Sequence, residues 1–405
     1  MKSIEQIRSD FPILGIRVYD RPLVYLDNGA TTQKPQVVLD TVREVYTSYN
    51  ANVHRGVYYL SDLTSEAYES ARQKVASFIN AGKKEEVIFT SGTTGSINAV
   101  AFSFGERYVR PGDEIIVSEL EHHANIVPWQ MMCERKGASL KVIPVNDRGE
   151  IIPEEYYKLL SKKTKLVAIT QVSNAFGTIV PLNEIIKAAH GINVPVLVDG
   201  AQGVQHGSTD VSSLDCDFYV FSGHKIYGPT GIGVLYGKEK WLSEIPPYQG
   251  GGDMVDRVSF EKTTYNVLPF KFEAGTMNFT GAIGLAAAIG YIESVGRENI
   301  VSIEQELLKY ATGKLSDVKG LRIYGTSGKK IATISFLLEG IHQYDTGMIL
   351  DKLGIAVRTG THCAQPLMRR FGIEGTVRAS MCFYNTKAEI DALVKGLEKV
   401  KQMFL

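Results

Sequence analysis

The sequence predicts an α/β fold, with a mostly parallel seven-stranded sheet in a large domain and a smaller α+β domain after it. Three observations lead there. Short β-branched runs alternate with longer helix-like stretches through the first two thirds of the chain. Several runs, such as Leu166-Val167-Ala168-Ile169, are apolar without alternation, as expected of strands covered on both faces of a parallel sheet. After about Gly281 the texture changes to Ala-rich and charged helices with few strands.

The bulk numbers agree. At 405 residues the chain is too long for one ordinary core, and 44% apolar residues suffice to build a large one. Lys and Arg together equal Asp and Glu at 44 each, so no global charge draws the chain to nucleic acid or an anionic membrane. The polar start, Met1 to Gln6, lacks the apolar run of a secretory signal. No apolar stretch approaches the roughly 20 residues that span a bilayer. A soluble, cytoplasmic protein is expected. Four scattered cysteines (Cys133, Cys216, Cys363 and Cys382) suggest neither a disulfide framework nor a zinc knuckle.

In chain order, Ser3 with Gln6 reads as a capping box opening a short helix. Strand candidates lie at 86–90, 114–118, 140–145, 166–170, 195–199, 218–222 and 232–236. Stretches such as 182–190 suit the crossover helices between them. Helices are expected at 284–295, 298–315 and 388–404, with a strand at 331–338. The domain join reads as a helix.

Ligands of such sheets bind beyond the carboxyl ends of the strands, so the residues just after each run are the candidates for chemistry. After 86–90 comes Ser91-Gly92-Thr93-Thr94-Gly95-Ser96, whose small and hydroxyl residues at a helix start suit a phosphate. An ordinary strand-to-helix turn would use the same residues. Asp199 closes a buried apolar run and needs a cation, such as a protonated pyridine nitrogen; alone it could equally cap a helix. Lys225, in Ser222-Gly223-His224-Lys225, suits an amine of lowered pKa that forms a Schiff base, although a single strand-end lysine is more often solvated. Ser222 and His224 flank it and could donate to phosphate. In combination these are the requirements of pyridoxal phosphate (PLP). His122, in Glu121-His122-His123-Ala124-Asn125, could stack on a planar ring or move protons. The paired histidines lack further residues at a metal-binding spacing, so no metal is expected.

The second chemical element is Arg358-Thr359-Gly360-Thr361-His362-Cys363-Ala364-Gln365-Pro366. Cys363 falls in a loop with His362, Arg358 and Arg369 nearby, and positive neighbours favour a thiolate nucleophile. A structural cysteine in a tight loop is the plain alternative. Arg378 offers a guanidinium fork for a carboxylate.

These residues resemble the class V aminotransferase superfamily of fold-type I PLP-dependent transferases, and within it the group II (SUF-type) cysteine desulfurases. The resemblance runs from Leu26-Asp27-Asn28-Gly29-Ala30 to Arg378. Between them it passes through Asn52-Val53-His54-Arg55-Gly56, the histidine turn, the Lys225 turn, Phe272-Glu273-Ala274-Gly275-Thr276 and the cysteine loop. It implies that Lys225 carries the cofactor, Asp199 pairs with the pyridine nitrogen and Gln202 bonds the ring 3′-oxygen. His122 would stack on the ring and serve as an acid–base group. Thr94, Ser222 and His224 would hold the phosphate, with Thr276 reaching in from the other subunit of a homodimer. Asn174 and Arg378 would bind the substrate carboxylate, with Arg358 close by in the substrate site. Cys363 would take sulfur from L-cysteine and pass it to an acceptor protein of the SUF system for iron–sulfur cluster assembly. Thr361 stands where many members have His. Selenocysteine lyase shares the scaffold and is the second enzymatic reading; a catalytically silent scaffold of an assembly complex is the non-enzymatic one. The PLP-binding domain is expected at 17–293 and the small domain at 294–405, with residues 1–16 packing near the latter.

Overall fold

The computed structural model describes residues 3–207 and 209–404. All seven expected strands form and join one sheet. They are β1 (Val87–Thr90), β2 (Glu114–Ser118), β3 (Ser139–Ile143), β4 (Thr164–Thr170), β5 (Val196–Asp199), β6 (Phe218–Ser222) and β7 (Gly233–Gly237). Their order across the sheet is β1-β7-β6-β5-β4-β2-β3. Strands β6, β5, β4, β2 and β3 are parallel, whereas β7 is antiparallel to both its neighbours. The reason is local: the connection from β6 to β7 is too short for the crossover of about a dozen residues that a parallel return needs.

The unalternating runs behave as their composition demands. In β4, Val167 and Ile169 enter one apolar core while Leu166 and Ala168 enter another on the opposite face. Helices supply those cores. Helices α1 (Gln36–Ser48) and α2 (Tyr59–Phe78) pack against the apolar α4 (Phe279–Val295), and α3 (Thr93–Tyr108) lies along β6 and β7. Gly296, at φ +89°, ends α4, and α5 (Arg297–Ser316) leaves at an angle of 75°. The join is helical but sharply bent. Among the described residues no single helix is long and apolar enough to cross a membrane.

A separate hairpin is formed by β8 (Val255–Val258) and β9 (Thr263–Tyr265). Beyond α5, strands β10 (Leu321–Tyr324), β11 (Thr333–Leu338), β12 (Arg358–Gly360) and β13 (Thr376–Ser380) form an antiparallel sheet in the order β10-β11-β13-β12. A short helix α6 (Gln365–Arg370) precedes β13, and α7 (Lys387–Phe404) packs against α5. This sheet, α5 and α7 make a separate core around Phe336, Val377 and Leu397, which also takes in Val24 and Leu26, while α6 gives Leu367 and Met368 to the core of the large sheet. At the N-terminus the Ser3/Gln6 capping box is present, and Arg8 reaches the Tyr384 carbonyl (2.7 Å) and Glu389 (3.1 Å).

Two antiparallel pairings leave β1 pointing the same way as the parallel strands. The carboxyl ends Thr90, Ser118, Thr170, Asp199 and Ser222 therefore share one edge, facing the β12–β13 end of the second sheet across a cavity.

Candidate active site

The cavity at this edge has a volume of about 200 Å³. Eleven of the twelve side chains singled out in the sequence line it: Thr94, His122, Asn174, Asp199, Gln202, Ser222, His224, Lys225, Arg358, Cys363 and Arg378. Thr276 does not. It is exposed, on a turn after the buried Glu273.

One wall suits an anion. Gly92 adopts φ +146°, open to glycine alone, and lets the chain turn from β1 into α3 beside Ser222. The Thr93 N–H donates to Ser222 Oγ (2.8 Å), and the two hydroxyls pair at 2.7 Å. This ties the start of α3, with its free N–H groups, to the end of β6. Thr93, part of the hydroxyl-rich run that suits a phosphate, joins that run to Ser222.

Asp199 is buried at the end of β5, and the Ala201 N–H donates to its Oδ1 (3.0 Å). Burial raises its pKa, against the pull of that hydrogen bond and of Lys225. Lys225, on the turn after β6, has its amine lowered to about 8 by burial, with Asp199 opposing and Arg378 and Arg358 adding to the shift. A buried carboxylate and a cationic ring nitrogen would relieve each other's desolvation. Gln202 is oriented by donating from Nε2 to the Gly29 carbonyl (2.7 Å).

His122 is fixed by accepting at Nδ1 from the Ala124 N–H (3.0 Å), which leaves its proton on Nε2. Burial, reinforced by Lys225, lowers its pKa to about 3, and His224 falls to about 4 for the same first two causes. Both rings are neutral near pH 7. Glu121, missed in the sequence, supports this turn from below. Fully buried, it accepts from Ser118 Oγ (2.5 Å), Asn125 Nδ2 (2.7 Å) and the Thr170 N–H (3.0 Å), and burial raises its pKa to about 8.

The opposite wall is cationic. Arg358 and Arg378 sit directly across from each other on β12 and β13. Like charges so placed repel unless an anion joins them. Asp27 does so in part, accepting from Arg378 Nη2 (2.9 Å), while Nη1 donates to the Asn174 carbonyl (2.8 Å). Arg378 is fully buried, not a surface residue. Gly29 makes room for it, since a Cβ there would stand 3.1 Å from the guanidinium carbon. Arg378 Nε and Asn174 Oδ1 are buried without a partner among the described residues. Asn174 Nδ2 donates to the His362 carbonyl (2.6 Å), so this residue holds the cysteine loop as well as facing the cavity.

Cys363 lines the cavity and is half-buried, whereas Cys133, Cys216 and Cys382 are buried. His362 and Cys363 both lie in the left-handed region, at φ +54° and +55°. His362 corrects the expectation of a positive neighbour. It is buried against Thr376 Oγ1 (2.8 Å), and desolvation, aided by Arg378 and Arg358, lowers its pKa to about 2. The positive charge near Cys363 belongs to the arginines.

The aminotransferase class-V family profile matches residues 24–393. The chain belongs to the aminotransferase class-V family. Among its relatives, a cysteine desulfurase of Synechococcus elongatus is 52% identical over 98% of this chain, which spans 64% of that relative's length. A cysteine desulfurase of Escherichia coli O7:K1 is 50% identical, with 99% of each chain covered. The crystal structure of the Escherichia coli cysteine desulfurase CsdA superposes with a TM-score of 0.91 at 39% identity, over the whole of both chains. The fold is that of the type I PLP-dependent transferases. Class-V aminotransferases carry PLP, and the donor set here fits it: a hydroxyl-lined helix start for the phosphate, Asp199 for the ring nitrogen and the Lys225 amine for the aldehyde.

Proposed function

We propose that this class-V enzyme is a cysteine desulfurase of the group II, SUF type. It takes sulfur from L-cysteine onto Cys363, releases L-alanine and hands the persulfide to an acceptor protein that feeds iron–sulfur cluster assembly. One observation carries the reading. A lysine of lowered pKa and a half-buried cysteine line the same cavity, between an anion cradle and a pair of arginines. A transaminase of this fold has no use for the cysteine. A silent scaffold has no use for the set.

The bound cofactor supplies an electron sink at the substrate's Cα. Lys225 would hold it through Nζ and, with that amine free, would accept the Cα proton. An amine lowered to about 8 is partly neutral near pH 7 and can do so. Arg378 and Arg358 fork onto the substrate carboxylate, with the Asn174 amide beside them. Neutral His122 would stand beside the cofactor and would hold or pass a proton at Nε2. Cys363 thiolate then attacks the substrate sulfur. The new S–S bond forms as the Cβ–S bond breaks, the electron pair stays on carbon, and protonation gives the methyl group of alanine.

A homodimer completes the site by bringing Thr276 to the partner's phosphate. Its support is the outward exposure of Thr276. Large apolar side chains are also uncovered on segments tied to its turn: Val57 and Tyr59 follow Arg55, which pairs with Asp253, Val258 and Phe260 lie on the chain after Asp253, and the Gly275 N–H donates to Gly252 O (3.0 Å). We divide the chain at 17–293 and 294–405, with residues 1–16 beside the second part; the break at Gly296 and the separate second core support the division. Arg8 bonded to Tyr384 O and Glu389 supports the placement of residues 1–16, whose Ile7, Phe11 and Leu14 nevertheless join the first core. The compact loop before Cys363 supports the group II assignment.

The test is to incubate the PLP-loaded protein with L-cysteine and a thiol acceptor and to follow alanine and Cys363 persulfide together. One alanine for each sulfur is expected. Release of alanine only from selenocysteine would replace the reading by selenocysteine lyase, and no alanine from either would leave the scaffold.

A further inference from the structure

The loop that carries Cys363 is held by a residue outside the cavity. His123 comes directly after the cofactor-facing His122 but lines no part of the pocket. Its main-chain N–H donates to the Cys363 carbonyl at 2.7 Å. Its imidazole Nε2 accepts the Gln365 N–H at 3.1 Å. One residue thus brackets Cys363-Ala364-Gln365 from both sides, as a paired strand would. The loop needs such support. His362 and Cys363 are consecutive non-glycine residues at positive φ, a conformation that persists only when surroundings enforce it. The other restraints lie elsewhere: Asn174 holds the His362 carbonyl, the His362 ring pairs with Thr376 Oγ1 (2.8 Å), and the Ala364 N–H closes on Thr361 O (2.9 Å). Among the described residues only His123 bonds the Gln365 N–H, which opens α6 and has no partner within that helix.

We propose that His123 is the positioning residue of the nucleophile, its imidazole clasping the loop so that Cys363 Sγ faces the substrate sulfur. It touches neither substrate nor cofactor. It also joins the two halves of the chemistry, because the turn that fixes the His122 ring fixes the cysteine loop as well. Burial lowers the His123 pKa, which keeps Nε2 an acceptor. The kinetic consequence rests on the desulfurase reading; the mechanical one does not.

The test compares His123→Leu, His123→Asn and His123→Gln as PLP-loaded proteins. Glutamine places an amide oxygen where Nε2 stands, asparagine places one short of it, and leucine offers none. Without substrate, the rate of Cys363 alkylation by iodoacetamide reports the loop alone, since the other three cysteines are buried. Leucine and asparagine should raise it about three- to tenfold, with glutamine near wild type. With L-cysteine, kcat for alanine should fall at least about tenfold in the leucine variant at unchanged KM and unchanged cofactor absorbance. Glutamine should restore most of it, since an ångström of misplacement is worth up to about 10²-fold. Alkylation and kcat at wild-type values in His123→Leu would overturn the proposal. So would cofactor loss in all three variants alike, which marks a purely structural residue. A wild-type protein that makes no alanine removes the desulfurase reading, while the alkylation series still decides the clasp.

Discussion

The two walls of the cavity are built differently. On one side Asp199, Ser222 and Lys225 close or succeed central strands whose residues are almost all buried. On the other, Cys363 sits on a half-buried loop between β12 and α6, held by a few hydrogen bonds from the large sheet's turns. The cofactor side has one geometry to keep. On the proposed reading, Cys363 would meet the substrate inside and an acceptor outside, which a strand end buried in a sheet does not permit. A restrained loop does both.

Paired substitutions at the two walls are the strongest way to break this comparison. Lys225→Ala should lower alanine release by about 10³-fold or more, because it would remove both the proposed anchor of the cofactor and the proposed base. Cys363→Ser should stop alanine and persulfide formation to a similar degree, while leaving PLP binding and thermal stability near wild type. A serine hydroxyl stays protonated near neutral pH and does not attack sulfur usefully. Selenocysteine is expected to retain some turnover in Cys363→Ser, since selenium leaves more readily. Absorbance of bound PLP and an alanine assay separate the cases. Full alanine output from either variant would dissolve the distinction between the walls, and loss of PLP from Cys363→Ser would place the thiol in the fold rather than the reaction.

The arginine pair sharpens it next. Arg378 is fully buried and bonded to Asp27 and Asn174, whereas Arg358 is half-buried and its guanidinium makes no hydrogen bond or ion pair among the described residues. Arg378→Met should cost about 3 kcal/mol of stability, because Asp27 loses its counter-charge. Arg358→Met should leave stability within about 1 kcal/mol and raise KM for cysteine about tenfold. Urea unfolding and steady-state kinetics measure the two. Equal losses of stability would mean that both arginines are structural.

Much of the site was legible because strand ends are. Each run that closed on a chemically unusual residue, such as Asp199 or Lys225, could be read one strand at a time. What stayed hidden was relational. Nothing local distinguishes a buried Arg378 from an exposed one, because its burial depends on Gly29 and Asp27 at the other end of the chain. Glu121 looked like part of a polar turn, and its full burial depends on three donors on two different strands and a turn. His362 looked cationic by composition, but the fold buries it. The antiparallel β7 could be expected only from the length of the connection before it.

His362 gives a pH-dependent measure of the nucleophile wall. Its ring is neutral in the folded chain, with a pKa lowered to about 2, and titrates near 6.5 when unfolded. Below about pH 6.5 the unfolded chain binds a proton that the folded chain does not, so this histidine's contribution is present above that pH and lost as pH falls. Between about pH 7.5 and about pH 5 the loss amounts to about 2 kcal/mol. His362→Gln keeps a group able to bond Thr376 Oγ1 and does not titrate. The apoprotein's stability should therefore fall about 2 kcal/mol less over that range in the variant, by urea unfolding at the two pH values. Parallel curves for the two proteins would show that His362 protonates in place.

The smallest expected effect concerns the one singled-out residue that lies outside the cavity. Glu273 anchors the segment before Thr276: it accepts from the Phe89 N–H (2.8 Å), Tyr68 Oη (2.9 Å) and Arg72 Nη1 and Nη2 (2.6 and 2.9 Å). Gly275 then turns at φ +78° and leaves Thr276 exposed. The arrangement is a rigid base with an outward hydroxyl, suited to reaching a second copy and not to lining its own cavity. One hydrogen bond to a phosphate oxygen is worth about 1.5 kcal/mol, or about tenfold in affinity. Thr276→Ala should accordingly weaken PLP retention about tenfold by equilibrium dialysis while the protein stays dimeric by light scattering. The same variant should leave the Thr93–Ser222 contact and the unfolding midpoint of the apoprotein unchanged, which separates a lost donor from a damaged cradle. Unchanged PLP affinity would confine the phosphate site to residues of one chain. An active monomer would remove the partner altogether, and the exposure of Val57 and Phe260 would then need another explanation.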